Sequence, residues 1–277
     1  MRSRVLALVA LVGLLVGACS GAAAPAASAP TAPAPAASAA ASGDLTIYAA
    51  ASLTAVLAKV QTVYEAAHPG VTLTISPGSS AALETQIEQG APADVFLSAD
   101  TANPQKLVSK GLAAGAPVTY TRNLLTVIVP ATNPANITTP ADLARPGVKI
   151  IAAGDSVPIS KYAAQLVANL ARQPGYPADF VAAYTANVVS REDDVSAVVT
   201  KIALDEGDAG IVYVTDAKTS TEVRTIPVPA PANVPATYAG VVVKGSQHAA
   251  AAQAFLDWFA GPAGQAILAS FGFLPPA

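Results

Sequence analysis

Residues 45–54, LTIYAAASLT, decide the fold, because a short apolar run ends there in small residues and passes directly into an amphipathic helix. Residues 45–49 are too few and too β-prone for anything but a buried strand, whereas Leu53, Val56, Leu57, Val60 and Tyr64 recur at helical spacing. Ser52 is read as the N-cap of that helix. A strand that enters a helix through Ala-Ala-Ala-Ser gathers unsatisfied backbone N–H groups and the positive end of the helix dipole at one spot, which suits an anion. Serine is equally common as the N-cap of helices that bind nothing, so the junction alone assigns no function.

The same unit recurs along the chain. Residues 71–76 (VTLTIS) alternate as a strand does, 77–80 (PGSS) turn the chain, and a helix follows over 81–89 and stops at Gly90. A short apolar strand at 95–97 leads through Ser98-Ala99-Asp100 into another helix. Residues 124–129 (LLTVIV) form an apolar strand with breaker-rich sequence behind it, and a second domain is placed from there. It holds a strand at 149–152, a turn at 155–160 (DSVPIS), a helix at 161–171, a short strand at 187–189, and a helix capped by Asp193-Asp194. Strand 210–214 (GIVYV) follows. Four prolines within 227–235 mark an extended connector, strand 238–243 resumes the pattern, and helices at 249–260 and 262–270 close the chain. Strands alternating with helices argue for parallel α/β architecture, with ligands bound at the carboxyl ends of the strands.

Composition narrows the function. Arg2 and Arg4 precede an apolar run over 5–16, and Gly17-Ala18 lead to Cys19, the single cysteine. This is the layout of a signal peptide over 1–18, too short and too early for a spanning helix. Residues 16–19 (VGAC) resemble a bacterial lipobox, which implies lipidation at Cys19 and anchoring to the membrane outside the cytoplasm. No thiol then remains for disulfides or metal. Residues 20–43 hold almost only Ala, Pro, Ser, Gly and Thr, and read as a semi-flexible tether. Without the two leader arginines the formal charge moves from −3 to −5, and the remaining basic residues are scattered, which argues against nucleic acid.

Four turns then point to one family. AAASLT at 49–54, GSS followed by QIEQGAPADVFLSAD within 78–100, DSVP with a nearby Tyr162, and EDDV with GIVY within 192–213 resemble the periplasmic molybdate-binding proteins of ABC importers. The ending, FLDWFAGPAGQAILASFGF at 255–273, is similar to theirs. The resemblance implies the type II periplasmic-binding-protein fold: two α/β lobes, 44–123 plus 232–277 and 124–231, joined by two crossover strands with the ligand between them. It implies oxyanion contacts from Ser52 and Ser80, from the backbone N–H groups of Ile159 and Val195, and from the Tyr213 hydroxyl, with Ser79 a neighbour. Ile159-Ser160 stand where the family often has Ala-Gly. The implied ligand is molybdate or tungstate, with no cofactor and no enzymatic activity. The implied partners are ABC permease subunits, and the protein is expected to be a monomer.

Physical chemistry agrees with that set of donors. A tetrahedral dianion offers only acceptors, so hydroxyls and N–H groups at helix N-termini match it without Lys or Arg. Hydrogenphosphate carries a proton that needs an acceptor, sulfate differs in size, and tungstate is nearly the same as molybdate. The rival of another class is a lipid-anchored serine hydrolase using Ser52 or Ser80. It needs a base, the only histidines are His68 and His248, and no G-x-S-x-G elbow is present. Asp94, Asp100 and Asp194 are read as caps or solvated acids rather than a metal or glycosidase site.

Overall fold

Strand, small-residue turn and helix repeat through residues 43–277, the part of the chain that the computed structural model describes. The expected signal peptide, Cys19 and nearly all of the tether lie outside the described residues. Strand β1 (Gly43–Ala50) includes Gly43, which was expected in the tether. There follow α1 (Thr54–Ala67), β2 (Val71–Gly78), α2 (Ser80–Glu88), β3 (Val95–Ser98), α3 (Ala102–Ser109) and β4 (Val118–Asn123). The chain then changes lobe at Leu124. The second lobe holds β5 (Leu125–Pro130), β6 (Ile150–Ala153), α4 (Pro158–Leu170), α5 (Phe180–Ala186), β7 (Val188–Glu192), α6 (Val195–Ala203), β8 (Ala209–Tyr213) and β9 (Val223–Ile226). Residues 227–235 lead back to β10 (Ala236–Val242), α7 (Ala249–Ala260) and α8 (Pro262–Phe271).

Each lobe is built on a five-stranded sheet, in the orders β2-β1-β3-β10-β4 and β7-β6-β8-β5-β9. The sheets are mixed, not parallel throughout. β1 runs parallel to β2 and β3, and β6 runs parallel to β7 and β8. By contrast, β10 is antiparallel to β3 and β4, and β5 is antiparallel to β8 and β9. The two exceptions are the first strands after each change of lobe. They enter their sheets from the hinge, against the direction set by the strand-helix-strand units. The hinge segments are tied to each other by Asn233, whose side chain accepts from the Leu125 N–H at 3.1 Å and donates to the Leu125 carbonyl at 2.8 Å.

Packing fixes where the helices start. β3, β5 and β8 are buried along their whole length, as strands covered on both faces should be. Helix α1 turns Val56, Leu57, Val60 and Tyr64 inward, and Tyr64 packs edge-on against Phe255 and Trp258, each with ring centroids 5.0 Å away. At Gly210 a side chain would meet Val198 Cγ1 at 2.8 Å and the Ile151 carbonyl at 3.0 Å. Glycine there lets α6 lie directly on β8, which brings the start of α6 close to Tyr213 at the end of that strand. Among the described residues, no helix is long and apolar enough to cross a membrane.

Candidate functional site

Four helical starts from both lobes meet at one small cavity. From the first lobe it is lined by Ala50, Ala51 and Ser52 after β1, by Gly78, Ser79 and Ser80 between β2 and α2, and by Ala99. From the second lobe come Val157, Pro158 and Ile159 at the start of α4, Asp194 and Val195 at the start of α6, and Tyr213 from β8. All five residues expected to contact an oxyanion, and their neighbour Ser79, therefore face the same space.

The local structure around Ser52 differs from the sequence reading. Residues Ala51–Leu53 form a 3-10 turn, α1 begins at Thr54, and Ser52 makes no capping bond. Its hydroxyl instead lies 3.0 Å from the Tyr238 hydroxyl of β10. The reason lies in the three-residue turn, which carries Ser52 past the capping position and points its side chain toward the hinge. Ser79, not Ser80, is the N-cap of α2, and its side chain also makes no capping bond.

The hydrogen-bonding state of each donor follows from its neighbours. Ser80 Oγ accepts from the Ala99 N–H at 3.1 Å. A backbone N–H can only donate, so the single hydrogen of Ser80 is left for the cavity. The Tyr213 hydroxyl is fully buried and has no partner in the protein, and burial pushes it well above the usual tyrosine range, so it keeps its proton. A buried hydroxyl without a partner costs roughly 1–3 kcal/mol, a cost that an acceptor in the cavity would remove. In α4, Pro158 occupies the first helical position and has no N–H, leaving Ile159 as the first donor of that helix. Val195 is the first residue of α6, where N–H groups have no intrahelical partner.

Charge is sparse in this lining. Asp194 is its one carboxylate, and Oδ1 is turned onto its own helix, accepting from the Ala197 N–H at 2.9 Å. Behind Tyr213, Asp216 accepts from the Tyr213 N–H at 3.3 Å, and burial pushes its carboxyl up to about 8. That residue therefore stays neutral at neutral pH and adds no negative charge behind the cavity. Arg191 stands at the cleft mouth with its guanidinium paired to Asp155 at 2.8 Å. The chemistry available is thus that of several neutral donors and helix N-termini, with no cation in the lining.

The other singled-out residues have structural duties. Asp94 accepts from the Thr46 N–H and from Ser246, and Asp100 accepts from Ser98 and Asn103. Among the described residues, no group of three or more His, Cys, Asp or Glu side chains could hold a metal ion. His68 stacks on Tyr64 and bonds the Tyr64 carbonyl, and His248 lies 3.5 Å from Asp94. Neither histidine lines the cavity, so Ser52 and Ser80 have no imidazole base beside them.

The family profile described as bacterial extracellular solute-binding protein matches residues 45–274. The chain belongs to that family. Its place is accordingly outside the cytoplasm, in solute transport. A molybdate-binding protein ModA of Mycobacterium tuberculosis is 34% identical over 233 residues, covering 84% of this chain and 85% of that one. Among solved structures, the periplasmic molybdate-binding protein of Azotobacter vinelandii superposes with a TM-score of 0.70 at 26% identity, covering 84% of this solute-binding protein and 100% of that chain. The sulfate-binding protein SubI of M. tuberculosis gives a TM-score of 0.73 at 24% identity, covering 84% and 86%, a likeness of fold alone.

Sequence reasoning missed Tyr238 and Asp216 around this cavity. Tyr238 and Ser52 are 186 positions apart, and no local pattern joins them. Tyr162 packs its ring edge-on against Tyr213 at 6.4 Å. Asp216 has one local signal, its place three residues after Tyr213, which lets its carboxylate reach back to the Tyr213 N–H.

Proposed function

We propose that this protein captures molybdate in the cavity between its lobes and delivers it to the membrane permease of an ABC importer. The observation that carries the proposal is the buried, unpartnered Tyr213 hydroxyl, which faces a cavity where Ser80 and two helix N-termini also present free donors. A tetrahedral dianion is an all-acceptor ligand, and such a lining satisfies it by hydrogen bonds to a charged group, each contributing roughly 1.5–3 kcal/mol. The names of the relatives support molybdate as the cargo. On this reading Ser52, Ser80 and Tyr213 donate from hydroxyls, Ile159 and Val195 donate from the backbone, and Ser79 borders the ligand.

Lipidation at Cys19 would hold the protein at the membrane as a monomer, with residues 20–42 as the tether, so that it samples permease and solute from one place. Tungstate, of the same charge and nearly the same size, fits the same donors. Calorimetry of the purified protein against molybdate, tungstate, sulfate and phosphate tests the reading. Tight binding of molybdate and tungstate with weak sulfate and no phosphate binding is expected. Binding of phosphate in preference to molybdate would overturn it.

A further inference from the structure

Ser52 is the hydroxyl of the cavity that faces a second hydroxyl. Ser80 is backed by a backbone N–H, which can only donate, and Tyr213 by nothing. Ser52 faces another hydroxyl, that of Tyr238, at 3.0 Å, and either oxygen can be the donor. If Ser52 donated to Tyr238 it would turn a lone pair toward the anion, which disfavours an all-acceptor ligand.

The surroundings of Tyr238 resolve the direction. Tyr238 is completely buried in β10, and its ring packs edge-on against Tyr213 at 5.5 Å, Phe273 at 5.8 Å and Tyr120 at 6.2 Å, which holds the hydroxyl in place. Among the described residues Ser52 is the hydrogen-bond partner of the Tyr238 hydroxyl, so if Ser52 donated to it the buried phenol hydrogen would have no acceptor. Burial also keeps the Tyr238 hydroxyl protonated. The Tyr238 hydrogen therefore goes to Ser52, which satisfies both hydroxyls, and the Ser52 hydrogen is left for the cavity.

We propose that Tyr238 is a positioning and specificity residue, which by donating to Ser52 fixes Ser52 as a permanent donor to the anion and penalises protonated anions that need an acceptor. The proposal deepens the oxyanion reading of the cavity and rests on it. It also ties the site to the hinge, because Tyr238 stands on β10, the first strand after the second crossing between lobes.

A double-mutant cycle measured with two anions tests it. Tyr238→Phe removes only the hydroxyl and keeps the ring packing. Its affinity for molybdate should fall on the order of tenfold, while inorganic phosphate, measured by competition, should be unaffected or gain. The preference for molybdate over phosphate should therefore narrow by a similar factor. In a Ser52→Ala background, Tyr238→Phe should change molybdate affinity less than about twofold, since Tyr238 acts only through Ser52. An equal loss in both backgrounds, or an equal loss for both anions, would reduce Tyr238 to a packing residue and overturn the proposal. If Ser52→Ala binds molybdate as the wild type does, the oxyanion assignment of Ser52 fails, and the relay with it. That result is distinct from failure of the relay alone, in which Ser52→Ala is weakened and the Tyr238 effect persists on top of it.

Discussion

The Ser196 hydroxyl of the second lobe donates to the Ala51 carbonyl of the first at 3.4 Å, one residue from Ser52 and one from Val195. Lys218 reaches across in the same way to the Phe271 carbonyl at 3.5 Å, at the C-terminal end of α8. These weak contacts close the lobes over the cavity without locking them, as a binding protein that must open again requires. Saturating molybdate should therefore stabilise the closed form, reduce the radius of gyration in solution scattering and raise the melting temperature. At a ligand concentration of about 100 Kd, linkage gives roughly 2.7 kcal/mol, or about 5–10 °C for a domain of this size. An unchanged melting temperature, with binding shown by calorimetry, would contradict a cavity shared by both lobes.

Arg191→Ala should change molybdate affinity less than about threefold. The guanidinium is half exposed, is already paired with Asp155 and stands at the cleft mouth rather than in the cavity lining. An exposed pair contributes little, about 0–1 kcal/mol. Raising the salt concentration should likewise have a modest effect on affinity. A site organised around this cation would show the opposite, with Arg191→Ala abolishing binding.

Asp216 should give the protein a pH-dependent weakness. Its carboxyl is pushed up to about 8 by burial, whereas in the unfolded chain it titrates near about 3.9. The folded state thus favours the protonated form. The contribution is fully present below about pH 4 and declines as pH rises toward about 8, because only the unfolded chain releases the proton in that window. Asp216→Asn keeps an acceptor for the Tyr213 N–H and removes the titration. It should raise the melting temperature at about pH 8 by at least roughly 2–4 °C, the equivalent of about 1 kcal/mol, and leave it nearly unchanged at about pH 4. Equal shifts at both pH values would contradict the assignment.

The parts of the fold legible in the sequence were those written in local periodicity and punctuation. The unit at 45–67 was readable because the apolar spacing changes from strand to helix within a few residues, and Asp194 was readable as the cap it is. Less legible were features set by distant partners. The reversal of β5 and β10 depends on where the chain re-enters each sheet, which no local pattern records. The displacement of Ser52 from the capping position depends on a three-residue 3-10 turn. The likeness of four turns to one family named the candidate donors, but the environment of each had to come from the structure. Ala99 behind Ser80, Tyr238 behind Ser52 and the absence of a partner for Tyr213 all arise from contacts between elements far apart in the chain.

The most direct test of the central claim, that neutral donors hold the anion, is the dissociation constant of Tyr213→Phe for molybdate by calorimetry. The account predicts a loss on the order of 10- to 100-fold, corresponding to roughly 1.5–3 kcal/mol for a hydroxyl donor to a charged acceptor. It also predicts a melting temperature without ligand that is equal to or above the wild type, because the substitution removes a buried hydroxyl that has no partner. Wild-type affinity in Tyr213→Phe would contradict the account.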